Sequence, residues 1–198
     1  MAALIVEPLA GLVDTAFVER LGSAHASALA AATTVFAGVV WVFNFLGVGT
    51  QTAVAQAHGR GESDSASDGA TVAVVLAAAC GITLAVGLWP LLGVLARWMS
   101  DNPIVQNGTV TYLKIRLLGA PAILIMLSNL GALRGLQRMQ VTIWIAGAVS
   151  LCNVLLDPIL IFGWGPLPRL EIAGAAWATT LSQICGALFS LAVVGRSL

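Results

Sequence analysis

The sequence predicts an all-α membrane protein whose six transmembrane helices form one lobe. Three observations carry that prediction. First, 59% of the 198 residues are hydrophobic and only 9% are charged, against roughly 25% charged in an ordinary soluble domain. A soluble fold of this size has too little polar surface to cover so much apolar material, so the bilayer is its solvent. Second, Lys, Arg, Asp and Glu are absent from residues 21–59, 69–96, 117–133, 139–156 and 172–195, runs comparable to the roughly 20 residues that cross a hydrocarbon core. Third, Gly, Pro, Ser, Asp and Asn cluster between those runs, as turns require.

The first span, 2–20, reads as a helix entered partway. Its "MAALIVEPLAGLVD" carries neither the basic segment and cleavage site of a secretory signal nor the Arg- and Ser-rich composition of a transit peptide. After "RLGSAH" comes the second span, 27–50, where "ALAAATTVFAG" supplies small residues that let helices approach closely in lipid. The loop "HGRGESDSASDG" leads to the third span, 70–96, and "RWMSDNP" to the fourth, 109–133, with Lys114 and Arg116 near its start. "RGLQRMQ" precedes the fifth span, 139–162, and "GWGPLPRLE" the sixth, 171–195. No linker separates domains, so residues 1–198 make a single unit. Trp98 and Trp164 sit near span ends as interface anchors. The basic residues divide between the two sides of the membrane, and the positive-inside rule assigns no orientation.

Several chemistries are excluded. No Gly-rich phosphate cradle, no nucleophile beside a base and no basic patch is present, which argues against an enzyme and against nucleic acid as a partner. Cys80, Cys152 and Cys185 lie singly within spans, and His25 and His58 in or near loops, none at metal-ligand spacing. The reading calls for no organic cofactor and no bound metal cofactor.

What remains are polar groups inside spans, where an ionised acid costs about 2.5–3.5 kcal/mol on insertion scales and so faces a protein interior or a wet cavity. In "SLCNVLLDPILIFG", Asp157 follows Asn153 by one helical turn, on the same face. Pro158 withdraws a backbone donor from the Val154 carbonyl beside the acid, and bare carbonyls in a wet cavity bind cations. Lys114 and Arg116 are the available basic partners for a purely structural role. Asp14 stands two turns after Glu7, with Gly11 between them. Asn44 and Gln51 in span two, Ser128 and Asn129 in span four, and Thr179 and Gln183 in span six complete a set that lines a hydrophilic chamber if brought together.

Taken in order, "EPLAGLVDTAFVERLG", "FNFLGVGTQTAVAQAHGRGE", "YLKIRLLGAPAILIMLSNLGALRGLQRMQ", "NVLLDPILIFGWG" and "IAGAAWATTLSQ" resemble the first, second, fourth, fifth and sixth helices of the multidrug and toxic compound extrusion (MATE) transporters, most closely the DinF-like branch. The resemblance implies a cation-coupled antiporter of two six-helix lobes, of which this chain matches the N-terminal one. It also implies proton- or cation-binding roles for Asp14, Asn129, Asn153, Asp157 and Thr179, with Thr180 adjoining the last. Glu7, Asn44, Gln51, Thr180 and Gln183 remain as cavity-lining candidates.

The function expected is therefore H⁺- or Na⁺-coupled export of small organic compounds or drugs by a multi-pass protein of a bacterial inner membrane or plastid envelope. Its partners are a small-molecule substrate, the lipid bilayer and a missing C-terminal lobe. An alternative is a plastid-type exporter of an organic acid or phenolic metabolite; another, of a different class, is a non-transporting helical module or inactive fragment. Proton coupling is favoured over sodium. The depth of Asn129 is the weak point of a shared sodium site, because span four runs opposite to spans one and five.

Overall fold

The computed structural model describes residues 2–164 and 168–198, with side chains from Gly11 onward. Among these residues the helices are α1 (Ala2–Glu19), α2 (Ser23–Val42), α3 (Asn44–Gly59), α4 (Ser63–Leu88), α5 (Leu92–Met99), α6 (Pro103–Leu118), α7 (Ala120–Gly135), α8 (Met139–Phe162) and α9 (Ile172–Gly195). Four stretches are long and apolar enough to cross a membrane: Ser23–Gly59, Ser63–Met99, Met139–Phe162 and Ile172–Gly195. The pair α6–α7, bent by 52°, is long and apolar enough to make a fifth when taken as one broken span.

The helical passages outrun the apolar windows of the sequence. Span two, expected at 27–50, lies within 37 residues from Ser23 to Gly59, and span three, expected at 70–96, within 37 residues from Ser63 to Met99. At 1.5 Å per residue such a passage is about 55 Å long, against ~30 Å of hydrocarbon, so its ends continue into water where charges are tolerated.

Local chemistry explains the starts and breaks. Asn102 caps α6, its Oδ1 accepting from the Ile104 N–H at 2.9 Å, and Pro103 takes the first helical position, where no donor is needed. Between α6 and α7 the Gly119 N–H turns back to the Arg116 carbonyl at 3.1 Å, while Pro121 offers no N–H to the preceding turn, and the passage bends there. Between α2 and α3, Phe43 leaves helical geometry at φ −88°, ψ 7°. The tight turn from α1 into α2 uses Gly22 at φ 120°, a value glycine adopts without a Cβ clash.

Pro158 does not end α8, which continues to Phe162. Beyond it, the Leu160 and Ile161 carbonyls accept from the Leu170 and Glu171 N–H groups at 3.1 Å each. The end of α8 is thereby fastened to the entry of α9.

Two large apolar layers, with a smaller cluster of Leu46, Ala77 and Leu124 beside them, hold the bundle. One gathers Val18, Leu29, Phe36, Leu92, Tyr112, Leu113, Leu117 and Ile161 from α1, α2, α5, α6 and α8. The other joins Val54, Ala57, Ala66, Ala132, Leu133, Ile145 and Val194 from α3, α4, α7, α8 and α9. Small residues set the closest approach: a Cβ on Gly131 of α7 would collide with the Gly47 carbonyl of α3. The outer surface is apolar as well, with Val72, Val75, Ile82 and Val86 of α4 and Leu188 and Phe189 of α9 exposed. Such a surface suits lipid rather than water. Trp98, 82% exposed, and Trp164, 66% exposed, project near helix ends.

Candidate functional site

Helices α1, α6, α8 and α9 converge on a buried polar cluster. On α8, Asn153 and Asp157 fall one turn apart and so share a face; on α6, Tyr112 and Arg116 do the same, and on α9, Thr179 and Gln183. Asp14 enters from α1. Asp157 is 0% exposed and Asp14 only 8%.

The two carboxyl groups lie within hydrogen-bonding reach of each other, and Thr179 is within reach of Asp14. Two carboxylates are both acceptors, so no hydrogen bond joins them until one carries a proton. Both Asp157 oxygens and Asp14 Oδ1 are buried without a hydrogen-bond partner among the described residues. A carboxylate in that position is costly unless a proton or cation completes it. Beside it, Asn153 Nδ2 donates to Thr179 Oγ1 at 3.3 Å, and Thr179 Oγ1 donates to the Ala175 carbonyl at 2.9 Å. With its amide nitrogen so employed, Asn153 keeps its oxygen as an acceptor. Tyr112, the sole tyrosine of the chain, is 2% exposed and within reach of Thr179.

Arg116 closes the site on the α6 side. It is 5% exposed; its guanidinium lies over the Phe36 ring of α2 at 4.2 Å and donates to Gln183 Oε1 at 2.6 Å. Its charge also acts on Asp14. Arg116 was legible beforehand only as a basic partner and Tyr112 not at all. Their spacing of four residues on one face of a helix was the available signal.

Other expected site residues are placed elsewhere. Asn129 does not join the cluster. Its Nδ2 donates to Ser190 Oγ at 3.0 Å, and Ser190 lies about 16 Å beyond Thr179 along α9. The physical reason is the antiparallel run of α7, which carries Asn129 towards the other end of the lobe. Ser128 is also fully buried, its hydroxyl without a partner among the described residues. Asn44 and Gln51 are exposed on α3, apart from the acids. Thr180, adjoining Thr179, turns to α6 and donates to the Ile115 carbonyl at 3.5 Å. Glu7 belongs to α1, but its side chain lies outside the described residues. Lys114 is exposed, and His25 is partly buried with its Nε2 3.9 Å from Glu171.

On the far side, Phe17 and Phe162 meet edge to face with ring centroids 6.0 Å apart, one turn beyond the acids on α1 and α8. With Val18 and Ile161, both 0% exposed, they seal the cluster at that end. The arrangement can hold a proton between two carboxyl groups. Alternatively it can surround one monovalent cation with oxygens of Asp14, Asp157, Asn153 and Thr179.

Residues 1–159 match the MatE family. The chain is 33% identical over 194 residues to Protein DETOXIFICATION 44, chloroplastic, of Arabidopsis thaliana, covering 91% of this chain and 36% of that protein. It is 28% identical over 180 residues to a FAD transporter of Shewanella oneidensis, covering 87% and 38%. Among solved structures, an outward-facing multidrug resistance MATE family transporter superposes with a TM-score of 0.88 at 29% identity, covering 96% of this chain and 41% of that one. The chain thus spans about two fifths of the length of the proteins it matches, one lobe of the transporter fold.

Proposed function

Because this chain belongs to the MatE family, we propose that it forms the ion-coupling lobe of an antiporter that exports small organic compounds across the membrane. The protein is an integral, multi-pass membrane protein, and its relatives include bacterial and chloroplast members. The observation that carries the reading is the pairing of Asp14 and Asp157 in the lobe interior, with unpartnered carboxyl oxygens. Such a pair binds and releases a cation as its access to water changes. A membrane potential supplies about 2.3 kcal/mol per charge moved per 100 mV, which is available to move substrate the other way.

We favour the proton as the coupling ion. The acids already lie in reach of each other, so a single proton bridges them without rearrangement. A sodium ion needs several oxygens converging on it, and Asn129 is not among those present. The alternation of access needs an opposing bundle to rock against, and we assign that part to a second lobe. The alternative of an organic-acid exporter calls for a cation facing substrate; Arg116 is already stacked on Phe36 and bonded to Gln183. A dry packing module, the remaining alternative, would pair its buried acids with donors within the bundle, and among the described residues neither Asp157 oxygen has a hydrogen-bond donor.

The test is gradient-driven efflux by a complete transporter containing this lobe. Imposing an inward proton gradient on inside-loaded vesicles should accelerate efflux of a cationic dye. Efflux indifferent to both proton and sodium gradients would refute the reading.

A further inference from the structure

We propose that Arg116 is the built-in counter-charge of the Asp14–Asp157 site and limits it to one monovalent cation at a time. The inference rests on the ion-binding reading above and deepens it by giving the site a capacity.

The argument is a charge count in a place where charge cannot be left uncompensated. Among the described residues, the groups facing the cluster that carry or can acquire charge are Asp14 from α1, Asp157 from α8, and Arg116 with Tyr112 from α6. Helix α9 has no Lys, Arg, Asp or Glu. The only titratable side chain of α2, His25, sits at the loop end beside Glu171. Lys114 points away from the site and is exposed. Two carboxylates and one guanidinium leave a single negative charge, and one proton or one sodium ion removes it. A second cation would make the interior positive and a vacant site would leave it negative, both disfavoured in a water-poor bundle.

Arg116 is held where this count requires. It is 5% exposed, with the Phe36 ring at 4.2 Å against its face and Gln183 Oε1 at 2.6 Å from its Nη1. A guanidinium keeps its charge at any physiological pH, so the compensation is permanent while the cation comes and goes. Tethers to α2 and α9 fix its position through helices other than the two that carry the acids. Arg116 therefore acts on the ion through the acids, as a positioning and charge-setting residue.

Infrared spectroscopy of the purified full chain in detergent tests this by counting protonated buried carboxyl groups in sodium-free buffer at neutral pH, with Asp14→Asn and Asp157→Asn identifying the bands. The expected count is one in the wild type, one in Arg116→Lys, which keeps the charge, and two in Arg116→Gln, which removes it. Adding sodium chloride, if sodium enters, should erase the band and leave one radiolabelled sodium per chain, preserving the sum of one. A wild-type sum of two or of zero, or a count that stays at one in Arg116→Gln with an unchanged helical circular dichroism spectrum, would overturn the proposal. So would loss of the band in Glu7→Gln, which would transfer the proton to that residue. If Arg116→Gln does not fold, the wild-type count alone decides. A band that stays at one at every pH and sodium concentration leaves the charge count standing and refutes the ion-coupling reading instead.

Discussion

Asp14 of α1 and Asp157 of α8 bring their carboxyl groups within hydrogen-bonding reach of each other in the lobe interior, where Asp157 is 0% exposed. No hydrogen bond can form between them without a proton. The pair is therefore the one place in the described bundle where gain or loss of a small cation must change the contact between two helices.

Asp157→Asn should abolish ion-driven efflux by a transporter carrying this lobe while leaving membrane insertion and abundance intact. The amide keeps the shape of the side chain but can neither titrate nor carry charge. Efflux measured in vesicles at matched protein level checks this, and wild-type rates under the same gradient would remove Asp157 from the coupling site.

The isolated 198-residue chain reconstituted in liposomes should show no uphill transport. Alternating access is largely the motion of one bundle against another. Gradient-driven accumulation of a fluorescent dye would instead mean that two copies of the chain assemble into a working transporter.

Gln183→Leu should destabilise the chain by about 1–3 kcal/mol, because it strands a buried guanidinium donor of Arg116 that has lost its acceptor. The cation–π contact with Phe36 remains, so the fold should persist. Denaturant unfolding in detergent, followed by circular dichroism, measures the difference; an unchanged midpoint would show that the Arg116–Gln183 bond contributes nothing net.

Gly131→Ala should cost about 1–3 kcal/mol through overpacking, since its Cβ would run into the Gly47 carbonyl of α3. Gly49→Ala on α3 is the matched control. Nothing lies within 4 Å of a Cβ there, and removing a helical glycine is favourable by about 0.5–1 kcal/mol. The same unfolding assay should separate the two variants in opposite directions.

By itself the sequence determined the solvent, the helical class and the short list of polar residues that matter. Those are local properties: long apolar runs have one stable form in lipid, an α-helix that satisfies its own backbone, and an acid within such a run announces itself by its cost. One-helix geometry was legible too, as with Asn153 and Asp157 on a common face. Only the tertiary structure decided which helices meet and at what depth. It brought Asp14 to Asp157 and buried Arg116, rather than Lys114, where its charge acts on Asp14. It sent Asn129 to Ser190, and broke the second and fourth passages at Phe43 and Gly119. The reason is that a buried polar group must find a partner, but its energy is nearly indifferent to which element supplies it. That choice belongs to the rotation and vertical offset of packed helices. Small residues such as Gly131, bends such as that before Pro121, and the fastening of α8 to α9 set those together.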